Sequence, residues 1–91
     1  MARDSEARAA LRRLAGALER CPDVESVHGE PCEGDWRAWV VVRTRSWDAE
    51  LPIFQAHVEV DPDFLLTIHV TDSVDQVPDG AELFTGRVAA S

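Results

Sequence analysis

The chain has 91 residues, nine arginines against seventeen acidic residues, and a hydrophobic share of 45%, giving a formal net charge of −8. Domains typically span about 100–150 residues, so we expect one domain over 1–91. The composition excludes a collagen, a coiled-coil rod, a disordered acidic tail and a disulfide scaffold. No apolar run approaches the ~18 residues of a membrane span, and no leader opens the chain. We therefore expect a cytoplasmic protein with no membrane partner.

The first predicted element is a helix over Arg3 to Arg20. Leucines recur at helical spacing, and alanines widen the apolar stripe. A side-chain oxygen of Asp4 or Ser5 would cap its first turn. Pro22 would end it, because proline disfavours helical geometry in the residue before it.

This helix concentrates basic charge. Residues 1–20 hold five arginines and three acids, or +2, which leaves four arginines and fourteen acids, or −10, for the rest. One interpretation is a solvated polar face. The other is a basic ridge, represented by Arg8, Arg12 and Arg13, that docks on an acidic protein or on a second copy of the chain. A body at −10 makes a nucleic-acid partner unfavourable.

Two strands are predicted next. Residues 24–28 read as a short strand, and glycines and a proline make 29–35 a turn region. Residues 36–44 carry β-branched and aromatic side chains at both odd and even positions, which point to opposite faces of a strand. This pattern is typical of a central strand covered on both faces. All three tryptophans are expected in the core: Trp36, Trp39 and Trp47. The alternative for Trp36 and Trp47, which lie at strand ends, is partial exposure as part of an interaction surface.

Residues 48–60 support two alternatives. In a strand, alternate apolar residues would share one face: Phe54, Ala56, Val58 and Val60. In a helix, another set falls within about 60° of arc: Trp47, Leu51, Phe54 and Val58. Ser46 or Asp48 could cap such a helix. The local pattern alone favours the strand.

The remaining segments are shorter. After the break at 61–63, residues 64–71 alternate as a strand with Phe64, Leu66, Ile68 and Val70 pointing inward. A loop or a single helical turn is expected over 72–80, and a short edge strand over 81–84. Residues 87–91 should form a frayed tail.

Several short motifs resemble the minimal nucleotidyltransferase-like domain of small bacterial and archaeal proteins. They are Ile53-Phe54-Gln55-Ala56 with Glu59, Pro62-Asp63-Phe64, Ile68-His69-Val70 and Val77-Pro78-Asp79-Gly80-Ala81. The resemblance covers roughly residues 5–87. It implies a helix over 48–60, against the local alternation.

The family's catalytic signature is missing from this resemblance. A Gly-Ser loop and an Asp-x-Asp pair hold magnesium and nucleotide in that family, and its two carboxylates must share one strand face. Here the loop reads His28-Gly29-Glu30, and Trp36 and Ala38 occupy the acid positions, with Asp35 one residue out of step. The resemblance thus implies the fold without catalytic residues. Its alternative is a nucleotide-binding remnant in which Asp35, Glu30 and Glu33 gather around a metal–nucleotide.

Other chemistry is weakly indicated. His28, Cys32 and Cys21 match no compact zinc spacing, and the two cysteines are expected to be reduced thiols. His57 and His69 would approach each other only in the hairpin alternative. We therefore expect no cofactor, no metal and no catalytic residues.

The expected fold is a two-layer α+β sandwich. Its sheet comprises 24–28, 36–44 and 64–71, covered by the first helix and by a helix at 48–60; strands 36–44 and 64–71 are then parallel. The alternative is one helix on a four-stranded antiparallel sheet. The expected function is a small, acidic, non-enzymatic interaction or regulatory module with a protein partner, and a homodimer is one form that this could take. The alternative is a nucleotide-binding or degenerate nucleotidyltransferase-like protein.

Overall fold

A computed structural model describes residues 2–32, 35–63 and 65–86 of the chain. The elements in chain order are α1 (Ala2–Leu18), β1 (Val24–Cys32), β2 (Asp35–Val42), α2 (Trp47–Val60), β3 (Leu66–Thr71), a 3-10 turn (Val74–Gln76) and β4 (Glu82–Gly86). Phe64, the first residue of the strand predicted over 64–71, lies outside the described residues, as does the predicted tail at 87–91.

The strands form one mixed sheet in the order β3-β2-β1-β4. Strands β1 and β2 form an antiparallel hairpin, and β4 runs antiparallel to β1 on its other side. Strands β2 and β3 are parallel, because α2 carries the chain back along the sheet between them. The predicted two-layer α+β architecture, with a helix at 48–60 and the parallel pair, is confirmed.

The core lies between the sheet and the two helices. Leu11, Leu14 and Leu18 of α1 and Ile53 of α2 are fully buried against one face of the sheet, to which Val40 contributes. The even-numbered side chains of β2 from 36 to 42 point into this layer, and each is buried. The leucine periodicity in α1 therefore identified the packing face correctly.

No described helix or strand covers the opposite face of the sheet. The expectation that strand 36–44 is covered on both faces is therefore wrong: β2 is a central strand, but helices pack on one side only. At one end of the open face, Val41 and its neighbour Thr71 are buried. There the Thr71 hydroxyl donates to Oε1 of Gln76 at 2.8 Å, which ties the 3-10 turn to β3.

Strand β1 is longer than predicted, and the turn expected over 29–35 is much shorter. Gly29 lies within the strand, where a leucine of α1 occupies the space that the side chain of a larger residue would need. Pro31 is tolerated because β4 pairs only with residues 26–29, so β1 is an edge strand at Pro31 and loses no ladder hydrogen bond on that side.

The ends of α1 also differ from the prediction. The helix begins at Ala2, so Asp4 lies inside its first turn and is not its cap, and it ends at Leu18. The amide of Cys21 donates to the carbonyl of Leu18 at 3.0 Å in the turn that follows. In α2, the predicted cap at Ser46 is confirmed: its side chain accepts from the amide of Ala49 at 3.2 Å.

Candidate functional site

Helix α2 has two apolar faces, and only one of them packs in the core. Ala49, Ile53 and Ala56 are its buried residues. The opposite face presents four large apolar side chains, which we call the α2 stripe: Trp47, Leu51, Phe54 and Val58. At 3.6 residues per turn, the stripe is centred roughly 160° from the buried residues. These four residues are the set whose spacing indicated a helix, but they do not form the face of α2 that packs in the core.

The α2 stripe is well exposed and regularly spaced. The exposed fraction is 72% for Trp47, 38% for Leu51, 42% for Phe54 and 60% for Val58. Of the six large hydrophobic side chains exposed in the described part of the chain, these are four. Their intervals of four, three and four residues are those of the apolar seam of a coiled coil. Scattered exposed apolar residues are ordinary, whereas a contiguous row of them is a candidate interaction surface.

The end of α2 is fixed by a buried carboxylate. Asp61 is 1% exposed and accepts from the amides of Leu65 and Leu66 at 2.8 and 2.9 Å. Nε2 of His57 lies 3.2 Å from Oδ2 of Asp61 and 3.1 Å from the carbonyl oxygen of Leu66. Because these bonds join the last turn of α2 to the start of β3, the stripe is presented on a firmly anchored helix. Sequence reasoning missed Asp61, since one carboxylate after a helix is a common local signal.

Polar residues border the stripe. Gln55 and Glu59, with Phe54 and Val58, line a shallow, open depression on the helix surface. Near the start of α2, Nη2 of Arg45 lies 3.4 Å from Oε1 of Glu50. An apolar centre with a polar border is the usual arrangement of a protein–protein contact.

The arginine ridge is only partly available. Arg8 forms an ion pair with Glu82 of β4, and its guanidinium carbon lies 5.0 Å from the centroid of the Trp36 ring. Arg8 therefore ties α1 to the sheet. Arg12 and Arg13 are exposed on α1 and are the members of the ridge that remain open to a partner.

Trp36 is buried at 4% exposure, as the core interpretation predicts, and the alternative that it lies on an exposed interaction surface is wrong. Its indole Nε1 donates to Oδ1 of Asp4 at 3.1 Å, which joins β2 to α1. This hydrogen bond is the main cause of a lowered pKa of the Asp4 carboxyl, because it stabilises the charged form. Trp47, the other candidate, is exposed, which contradicts the core interpretation and agrees with the alternative for this residue.

Trp39 lies on the open sheet face and not in the helix-covered core, contrary to expectation. It pairs with His28 on one side and His69 on the other. Its ring stacks on His69 with centroids 4.7 Å apart, and its Nε1 donates to Oε1 of Glu30 at 3.2 Å. Trp39 is half-buried, because these neighbours cover it while no described element lies above it.

The open face also holds a histidine with altered titration. Nε2 of His28 lies 2.8 Å from Oγ of Ser26. Burial lowers the pKa of His28 below its ordinary value of 6.5, because the imidazolium is poorly solvated there. His28 and His69 lie on either side of the Trp39 strand position, so they do not approach each other to share a ligand.

The positions that the resemblance relates to catalysis have clear places in the fold. Trp36 and Ala38 are buried under the helices, while Asp35 is exposed at the start of β2. Glu30 lies 3.8 Å from Nη1 of Arg37, with which it forms an ion pair. Glu33 lies outside the described residues.

The remaining residue types that could carry chemistry are dispersed. Cys21 and Cys32 are both free thiols. Within residues 2–32, 35–63 and 65–86, no three histidine, cysteine or acidic side chains cluster as metal ligands would. None of the helices described there is long and apolar enough to cross a membrane.

Comparison with known proteins found no matching family model, no similar curated protein and no similar solved structure. The resemblance to nucleotidyltransferase-like domains therefore stays a prediction. Within the described residues, the α2 stripe is the surface whose composition, exposure and spacing together indicate a function.

Proposed function

We propose that this protein is a small, acidic, non-enzymatic interaction module that works through the α2 stripe. The observation that carries the proposal is the exposure of four large apolar side chains in coiled-coil spacing on a helix whose other face is already packed. Each fully buried side chain of this size is worth about 1.5–3 kcal/mol of transfer free energy. A partner that covers the stripe therefore gains a substantial driving force.

The geometry of the sheet supports a non-enzymatic role. A magnesium–nucleotide site of the expected kind needs two carboxylates on one strand face, and Trp36 and Ala38 stand at those positions with their side chains in the core. Asp35 points to the other face of β2, and a change of register would expose the buried row of that strand. These residues act in folding.

The acidic charge supports a protein partner. A net charge of −8 repels the phosphate backbone of nucleic acids, whose binding depends on concentrated basic groups. We further propose a cytoplasmic location, which suits two free thiols.

The test uses photo-cross-linking in the native cell. The chain is expressed with a photo-reactive amino acid in place of Leu51 or, as a control, in place of Val74, which is 59% exposed on the 3-10 turn. We expect a defined cross-linked product from the Leu51 position only. Equal products from both positions, or none from Leu51, would contradict an interaction through the stripe.

A titration addresses the nucleotide alternative. We expect no saturable change of tryptophan fluorescence when ATP or GTP is added with magnesium. Micromolar affinity that is lost in Asp35→Ala would replace the proposed function with the nucleotide-binding one.

A further inference from the structure

We infer that the partner of the α2 stripe is a second copy of this chain, with the two α2 helices packed antiparallel about a two-fold axis; this rests on the proposed function. A second copy fits the stripe because its side chains differ in size in a way that matches when the helix is reversed. Closed two-fold dimers are the commonest soluble oligomers.

The facing side chains of the stripe match in size when the two helices are antiparallel. If the two-fold axis passes between residues 52 and 53, Trp47 of one copy faces Val58 of the other. Leu51 then faces Phe54 of the other copy, and both pairings occur twice by symmetry. Each pair joins a larger side chain to a smaller one, which lets the seam interdigitate. A parallel alignment would instead place Trp47 against Trp47 and Val58 against Val58.

The charges at the two ends of α2 also favour the antiparallel alignment. Exposed Arg43 and Arg45 precede α2, and Asp48 and Glu50 lie in its first turn, so two positive and two negative charges balance at this end. Exposed Glu59 and Asp63 lie at the end of the helix and just beyond it, where the sequence has no arginine. An antiparallel pair sets this acidic end beside the balanced end of the other copy, which carries Arg43 and Arg45. A parallel pair would bring the two acidic ends together, which is unfavourable. The antiparallel alignment also opposes the two helix dipoles.

The flanking positions agree with this alignment in part. Asp48 and Gln55 border the stripe on the same side of the helix, and reversal places each beside the other's counterpart. The amide of Gln55 can then donate to the carboxylate of Asp48 in the second copy. Glu59 lies on the same side of the helix, so the carboxylates of Asp48 and Glu59 also approach each other, which weakens the contact.

The size of the contact sets the expected affinity. Helix α2 has 14 residues and is therefore about 21 Å long. One helix pair of this length covers less than the ~800 Å² per partner of a standard stable interface. We therefore expect a reversible dimer with a dissociation constant in the micromolar range.

The first experiment is sedimentation equilibrium of the full chain between about 1 μM and 1 mM. We expect a monomer–dimer equilibrium that Phe54→Glu weakens at least about 100-fold, as expected for a central residue of an interface. Val74→Glu, the control, adds the same charge to another exposed apolar site and should dimerise within a few-fold of the wild type. Circular dichroism verifies that each variant is folded.

A second experiment tests the orientation. With both native cysteines replaced by serine, Trp47→Cys and Val58→Cys proteins are prepared separately and then mixed under mild oxidation. We expect a mixed disulfide between the two proteins and little product from either alone, since a disulfide needs Cβ atoms about 3.5–4.5 Å apart. Efficient self-linking of Trp47→Cys would overturn the antiparallel alignment.

The outcomes separate this inference from the proposed function. A chain that remains monomeric at 1 mM overturns the homodimer. If the Leu51 cross-link then has a mass other than twice that of the chain, the proposed function stands and the second copy is wrong. If the chain is monomeric and Leu51 gives no product, both proposals fail. Equal weakening by Phe54→Glu and Val74→Glu would show a dimer that does not use the stripe.

Discussion

Adding one methyl group at two glycines should change stability in opposite directions. Gly29 lies in β1 under helix α1, whereas Gly16 lies on the exposed side of α1. An ideal Cβ at Gly29 would meet Cδ1 of Leu11 at 2.5 Å and Cε2 of Phe84 at 3.0 Å. An ideal Cβ at Gly16 meets nothing within 4 Å. Gly29→Ala and Gly16→Ala are therefore a matched pair of variants.

The packing around Gly29 determines the size of the effect. Leu11 is completely buried, so its methyl group can move aside only by displacing other core side chains. Overpacking of this kind typically costs about 1–3 kcal/mol, and we expect Gly29→Ala to lower the free energy of unfolding by that amount. Gly16→Ala should raise it by about 0.4–1 kcal/mol, because alanine restricts the unfolded chain and suits a helix.

Urea unfolding, followed by circular dichroism and tryptophan fluorescence, measures both changes from the midpoint and slope. The third variant, Leu11→Ala with Gly29→Ala, tests the cause, since removing the leucine methyl groups removes the clash. In the double variant, Gly29→Ala should cost less than it does alone. A stabilising Gly29→Ala, or a full cost that persists without the leucine side chain, would refute the close approach of α1 to β1 as the reason for this glycine.

Three further predictions concern other parts of the fold. Asp61→Ala should lower the free energy of unfolding by about 3 kcal/mol, because two backbone amides lose a buried charged acceptor; exposed Asp63→Ala, the control, should change it by less than about 0.5 kcal/mol. His28 should titrate by NMR below its ordinary 6.5. Because the unfolded chain then binds the proton more tightly, stability should fall as pH drops from 6.5 through the lowered pKa, and His28→Gln should flatten this fall. Trp39→Ala should lower the free energy of unfolding by about 1–2 kcal/mol, less than for a core tryptophan, since the side chain is only partly buried and its stack on His69 contributes about 0.5–1.5 kcal/mol; a loss above about 4 kcal/mol would contradict its place on the open face.

The sequence predicted an element correctly where only one of the two apolar patterns, helical spacing or strand alternation, fitted the segment. The leucines of α1 and the apolar centre of β2 identified a helix and a central strand, and the two-layer architecture followed. The prediction failed where a partner element decides the outcome. Gly29 and Pro31 indicate a turn locally, but the neighbouring helix and the unpaired edge of β1 make both compatible with a strand. Those tertiary contacts cannot be inferred from spacing within the chain.

The candidate surface could be predicted in part. The sequence did not distinguish exposed Trp47 from buried Trp36, because a tryptophan at a predicted strand end has the same local signal in both places. The hydrogen bond from Trp36 to Asp4 depends on how α1 crosses the sheet. Similarly, three valines follow Trp39 in the sequence, which suggests a core position. In β2, however, the even-numbered side chains face the helices, so Trp39 lies on the opposite face of the sheet.

The ambiguity of residues 48–60 has a physical origin that bears on function. Phe54, Val58 and Val60 suggested one face of a strand, but in the helix the first two lie on the surface and Val60 is half-buried against the core. The helix needs only small or branched residues at its packed positions, Ala49 and Ile53 among them. The larger apolar residues are thus left for the opposite side, where the fold supplies no cover. Helix α2 therefore carries two apolar faces, and within the described structure only one of them is covered.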